Sequence, residues 1–207
     1  MVRVSYWEHP KPVRRTRAVD INEVAAAAAG IVNDGGIRAL TIRAVATRLG
    51  VAPASLYSRV ESVDDLFDLA LNHALGNDQT VNRAVSEADL LGLMLAYYRH
   101  LVRHRWACQV IGMRAPRGPN YLVLSERMIV LLDEAGAPDP LGAAYVLSNF
   151  VIGSALTSSM AEDERAAPVD SELAPEYARL HQSHAVDPEK IVIAGLIELR
   201  NHVIDCQ

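Results

Sequence analysis

At 207 residues, half of them apolar, the chain is long enough for one large domain or for a small domain fused to a larger one. Its net charge of −5 is unevenly placed: residues 1–60 hold nine Lys/Arg and four Asp/Glu, and the rest is strongly acidic. A basic head on an acidic body excludes a chain that is cationic throughout and points to a head that alone meets a polyanion.

Aromatic residues are few, alanine is abundant and no run alternates β-branched residues, so the expected fold class is all-α. Residues 1–17 read as a basic flexible arm carrying Arg14, Arg15 and Arg17 beyond Pro10 and Pro12. Such an arm either follows the DNA backbone or minor groove or is simply a solvated terminus. A first helix is predicted over 20–34, with Asp20 and Glu23 as a capping box and Gly35-Gly36 at its end. Its apolar face holds Ile21, Val24, Ala25, Ala28, Ile31 and Val32.

Residues 41–59, TIRAVATRLGVAPASLYSR, organise the chain. Ile42, Val45, Ala46 and Leu49 repeat at helical spacing, and Gly50 breaks the run. Thr41 suits an N-cap and Pro53 the first turn of a second short helix carrying Leu56 and Tyr57. The pair reads as two helices on one apolar seam. Arg43, Arg48, Ser55, Ser58 and Arg59 are expected to point outward, a cationic, hydroxyl-bearing face that suits phosphates and base edges.

Ser62 caps a fourth helix running to about residue 79, with Asp64 and Asp65 in its first turn. Beyond it, helices are predicted over 87–113 with a break near Trp106, over 121–135 and over 141–160. Residues 161–187 read as an acidic linker with a short helical piece at 175–183, and Asp187-Pro188 opens a last helix to about 204. The apolar segment 141–156 falls short of a membrane span, contains Ser148, Asn149, Gly153 and Ser154, and reads as a buried helix, so no membrane partner is expected. Cys108 and Cys206 lack framework spacing, and no apolar run of a signal peptide opens the chain; a reducing cytoplasm is the expected location.

The combination of a first helix ending Gly35-Gly36, then Leu40-Thr41, Leu49-Gly50-Val51, Leu56-Tyr57, Val60 and a helix at Ser62 resembles the tetracycline-repressor (TetR) family of bacterial transcription regulators. Val60 is similar to the tetracycline repressors themselves, where most of the family has phenylalanine. The runs Gly118-Pro119-Asn120, 131–136 and 149–153 resemble the tetracycline-repressor-type C-terminal domain. The resemblance implies a three-helix DNA-binding head over 18–62 and a helical ligand-binding and dimerisation body over 63–207. It implies a homodimer on a double-stranded DNA operator, with Thr41, Arg43, Pro53, Ala54, Ser55, Tyr57, Ser58 and Arg59 at the DNA. Chemistry supports several of these: Arg43 can grip guanine with two hydrogen bonds, worth roughly 1–3 kcal/mol of discrimination, and Tyr57 and Ser55 can reach phosphates.

Two positions depart from the family pattern. Val63, followed by Asp64 and Asp65, stands where many members have a phosphate-binding lysine. Ile111 and Thr157 stand where tetracycline repressors have a histidine and an acidic position for the metal–drug complex. A magnesium–tetracycline ligand is therefore not expected, and no cofactor is.

In the body, Met94, Tyr97, Tyr98, His100, Trp106, Met113, Tyr121, Met128, Asn149 and Met160 are bulky or polar-tipped and can line a cavity for a flat amphipathic small-molecule effector. Taken singly, each is as readily explained by core packing. His100, His104 and Cys108 are spaced i, i+4, i+8, but Arg103 and Arg105 beside them disfavour a metal. Small residues in 141–156 and 191–203 favour a four-helix dimer interface over an intramolecular core. No nucleophile elbow, P-loop, dinucleotide fingerprint or HExxH is present, so an enzyme is not expected. The leading expectation is a repressor released from a palindromic operator by an effector. A ligand-independent DNA-binding or protein-interaction module, whose body only dimerises, is the alternative.

Overall fold

The computed structural model describes residues 5–9, 19–183 and 187–205. Among the described residues every regular element is helical. The head holds α1 (Ile21–Gly35), α2 (Ile42–Leu49) and α3 (Pro53–Leu56), and α4 (Val63–Gly76) leads out of it. The body follows with α5 (Gln79–Glu87), α6 (Leu90–Arg103), α7 (Arg105–Met113), α8 (Pro119–Glu134) and α9 (Pro140–Thr157). After a 3-10 turn come α10 (Ala161–Ala166), α11 (Pro175–Ser183) and α12 (Pro188–Asp205). Two further 3-10 turns lie at residues 6–8, ahead of the head, and at 37–39, between α1 and α2.

Short acceptor side chains set the helix starts. Asp20 accepts from the Asn22 amide at 2.9 Å, Thr41 from Ala44 at 3.0 Å, and Asp89 from Gly92 at 2.8 Å. Each satisfies an amide that the first turn leaves without an intrahelical partner. Gly50 closes α2 in the left-handed conformation, φ 67°, where a side chain would be strained.

α1 packs lengthwise on α4, and α9 packs on α6, α8 and α12. One continuous apolar core runs from Val24 and Leu56 in the head through Leu66 and Leu93 to Leu147 and Leu196 in the body. Helix α4 belongs to both halves and carries the head on the body.

Four expectations change. The fourth helix stops at Gly76, because the Asn77 side chain donates to the His73 carbonyl and Asp78 then caps a separate α5. Helix α5 is mostly polar, with only Val81 and Ala84 buried, so it gives little apolar signal. The predicted break near Trp106 falls at His104, whose backbone leaves helical geometry. Finally, the apolar helix is not fully buried. Ala143, Leu147, Val151 and Ala155 face the core, while Leu141, Tyr145 (63% exposed), Val146 and Leu156 face outward. With its 3-10 extension, the helix over Pro140–Met160 has 21 residues and contains an 18-residue stretch of mean hydropathy 1.3, long and apolar enough to cross a membrane by length and composition alone.

Candidate nucleic-acid interface and effector body

The α2–turn–α3 unit is held from beneath. Val45, Ala46, Leu56 and Val60 are buried, and the Val51 amide donates to the Ala46 carbonyl at 3.0 Å across the turn. Pro53 occupies the first turn of α3, where its missing N–H costs nothing. Regular helix ends at Leu56, so α3 is a single turn, shorter than the predicted 53–58. Thr41, Arg43, Pro53, Ala54, Ser55, Tyr57 and Ser58 all lie exposed on this unit, Tyr57 at 54%. Arg48 is committed to Asp34 at 3.0 Å. The Ser58 hydroxyl donates to the Ser55 carbonyl at 2.7 Å, tightening the turn after α3.

Arg59 is a correction. It is only 7% exposed, and its charge acts on the buried Tyr6 hydroxyl rather than on solvent. Tyr6 lies more than fifty positions away in sequence, beyond the reach of helical spacing. Arg14, Arg15 and Arg17 lie outside the described residues.

The expected effector residues divide. Met94, Tyr97, Tyr98, His100, Trp106 and Met128 are buried in the body, and Tyr121 is half-buried. Tyr97 and Tyr121 meet hydroxyl to hydroxyl at 2.6 Å, with ring centroids 6.2 Å apart and edge-on. Burial lifts both phenols above their ordinary range, Tyr97 furthest. Met113, Asn149 and Met160 do not join them; all three are exposed. Met113 ends α7, Asn149 sits on the outward face of α9, and Met160 lies in the 3-10 turn beyond it.

Polar residues that sequence periodicity does not single out stitch the head to the body. Asn33 of α1 accepts from Trp106 Nε1 at 2.6 Å and meets His104 Nδ1 at 3.0 Å. Asp78 meets His100 Nδ1 at 2.8 Å and also pairs with Arg103. Burial holds the His100 imidazole down to about 4, against the opposing pull of Asp78. Burial alone would raise Asp78, but hydrogen bonds from His100 and the Val81 amide outweigh it and hold the carboxyl low. Neutral His100 therefore presents Nδ1–H to an ionised carboxylate. The His100 and His104 rings stay adjacent across the break, with centroids 4.7 Å apart. Among the described residues no group of three His, Cys, Asp or Glu is placed to hold a metal.

Two open grooves flank this region. One, about 640 Å³, lies along the head–body seam between Ala29, Asn33, His73, Asp78 and His104. The other, about 710 Å³, runs past Tyr98, Arg99, Arg105, Ser158 and Pro188. Of the expected effector residues, only Tyr98 lines either groove.

A short helix-turn-helix with an exposed polar face, mounted on a helical body, defines the class: a helix-turn-helix transcriptional regulator. Residues 18–70 match the family model described as bacterial regulatory proteins, tetR family, and residues 86–187 match the tetracyclin repressor-like C-terminal domain. An HTH-type transcriptional regulator from Saccharopolyspora erythraea is 32% identical over 182 residues, 86% of this chain and 77% of that protein. The HTH-type transcriptional repressor DrrR1 of Streptomyces coeruleorubidus is 30% identical over 155 residues, 70% of this chain and 54% of its own. The structure of ActR from Streptomyces coelicolor in complex with actinorhodin superposes with a TM-score of 0.67 at 25% identity, covering 87% of this chain and 97% of that one. The chain belongs to the TetR family of transcriptional regulators, and its relatives are regulators, not enzymes.

Proposed function

We propose that this regulator is a homodimeric repressor that leaves a palindromic operator when a small amphipathic molecule enters its body. The observation that carries the reading is the shared core. Helix α4 packs on α1 in the head and on α7 and α8 in the body, so repacking in the body must move the head. Each head sets α3 in the major groove. Arg43 reads a base edge, Tyr57 and Ser55 hold phosphates, and Ala54 meets a thymine methyl. Thr41, Pro53 and Ser58 shape the same surface. The outward face of α9, with Tyr145 and Leu156, pairs with its copy in the partner and brings two heads to two half-sites. The work is done on DNA in the cytoplasm.

ActR in complex with actinorhodin supports a small-molecule effector, and the half-buried Tyr121, beside the buried Tyr97, offers a ring edge to one. A second reading, a DNA-binding dimer without an effector, is favoured by one observation: Met94, Tyr97, His100 and Met128 pack into the core. A gel shift separates the two. The DNA upstream of the protein's own gene is bound, then titrated with a panel containing actinorhodin and tetracycline. Release by a flat aromatic supports the repressor. Binding that no compound relieves supports the second reading, and no binding to any promoter fragment contradicts both.

A further inference from the structure

The described residues ahead of the head do not trail away from it. Residues 5–9 fold onto α4, and Ser5 and Tyr6 are buried there. The Ser5 hydroxyl and the Tyr6 amide both donate to Asp68 Oδ2, at 3.0 and 2.9 Å. The other oxygen of the same carboxylate receives Arg114 Nε, from just beyond α7, at 3.0 Å. His9 lies 3.5 Å from Asp65, and the Tyr6 ring packs edge-on against Trp7. The Tyr6 hydroxyl also feels the charge of Arg59, at the end of the recognition stretch. Asp68 is thus a buried carboxylate shared by three parts of the chain: the N-terminal segment, α4 and the body. Burial lifts its carboxyl above the ordinary range, and the Tyr6 amide and Arg114 pull it back.

This arrangement also accounts for the acidic start of α4. Asp65 and Asp68 are buried, and Asp64 lies 3.5 Å from Arg114. Their carboxylates meet partners within the molecule: the Glu61 amide and His9 at Asp65, and Arg114 at Asp64 and Asp68.

We propose that residues 5–9 are a clamp, seated by Asp68 as its positioning residue, which holds the head on the body in the orientation that binds DNA. The proposal rests on the DNA-binding reading above. Two variants test it: the full chain lacking residues 1–9, and Asp68→Asn. Binding to a labelled fragment of the upstream DNA is followed by fluorescence anisotropy at several salt concentrations, and amide exchange of the free protein by mass spectrometry. Charge-assisted hydrogen bonds of this kind support an effect of about tenfold. The deletion is expected to weaken DNA binding about tenfold and to speed exchange across 63–70 and 105–114 by a similar factor, with the salt slope unchanged. Asp68→Asn is expected to weaken binding at least as much and to speed exchange at residues 5–9. If Asp68→Asn does not fold, the deletion decides, because it leaves the Asp68–Arg114 pair in place. Affinity and exchange both within twofold of the full chain overturn the clamp. So does a salt slope lowered by about one, which would assign the loss to a phosphate contact of the deleted Arg3. Should the full chain bind no DNA, the operator reading falls, and unchanged exchange on deletion would still overturn the clamp by itself.

Discussion

The head and the body bury polar groups in opposite ways. In the α2–α3 unit the interior is aliphatic, Val45, Ala46, Leu56 and Val60, and the polar side chains other than Arg59 lie outside. In the body, Tyr97, His100, Asp78 and Trp106 are inside and paired with one another or with Asn33. An aliphatic core has one close-packed arrangement, so the head is suited to presenting a fixed surface. A buried polar network is bound to specific partners and can exchange them, which is what a switching body requires.

The contrast can be broken in several places. The largest expected effect is Leu56→Ala, which leaves a cavity beneath α3. It should cost about 2–5 kcal/mol in urea unfolding and abolish DNA binding by the unfolded head. Next comes acid. His100 titrates near 4 in the folded chain, and a free imidazole near 6.5, so the unfolded state takes up the proton first as pH falls. The stability that follows is complete above pH 6.5, is lost progressively down to pH 4, and amounts to about 3 kcal/mol. Asp78 contributes in the same sense at lower pH: its lowered carboxyl stabilises above the ordinary carboxylate range, and that stability is lost as pH falls below it. Urea unfolding at pH 7.5 and 4.5 should show the His100 loss, and His100→Gln should flatten the difference. A smaller effect belongs to Asn33→Ala, which strips Trp106 and His104 of their shared acceptor. It should cost about 1–3 kcal/mol by thermal unfolding and loosen the coupling of head to body. The smallest concerns Arg43→Ala, exposed on α2. Stability should stay within about 0.5 kcal/mol, while discrimination at one operator base falls by roughly 1–3 kcal/mol. Equal loss on every DNA sequence would remove Arg43 from base reading.

Local signals were readable because their causes are local. Asp20, Thr41 and Ser62 cap the helices whose starts they mark, and Gly50 turns the chain where its sequence breaks the apolar run. Asp187-Pro188 opens the last helix for the same reason. What escaped depends on distant contacts. Arg59 is buried with its charge close enough to act on Tyr6, 53 residues away, and Asp68 accepts from Ser5 across 63, so neither follows from spacing. Helix α5 escaped because only two of its residues face the core. Among the expected effector residues, bulk and polarity identified buried groups such as Tyr97 and His100. They could not show that Met113, Asn149 and Met160 end on outward faces, because that is set by how α7, α8 and α9 pack.

The central claim is that occupancy of the body controls the grip of the head. Its most direct measurement is the dissociation constant for the upstream DNA, determined by anisotropy at fixed salt with and without a flat aromatic compound that binds the protein. A saturating compound is expected to weaken DNA binding by tenfold or more, and DNA to weaken the compound's binding by the same factor. A compound that binds tightly and leaves the DNA affinity unchanged would contradict it.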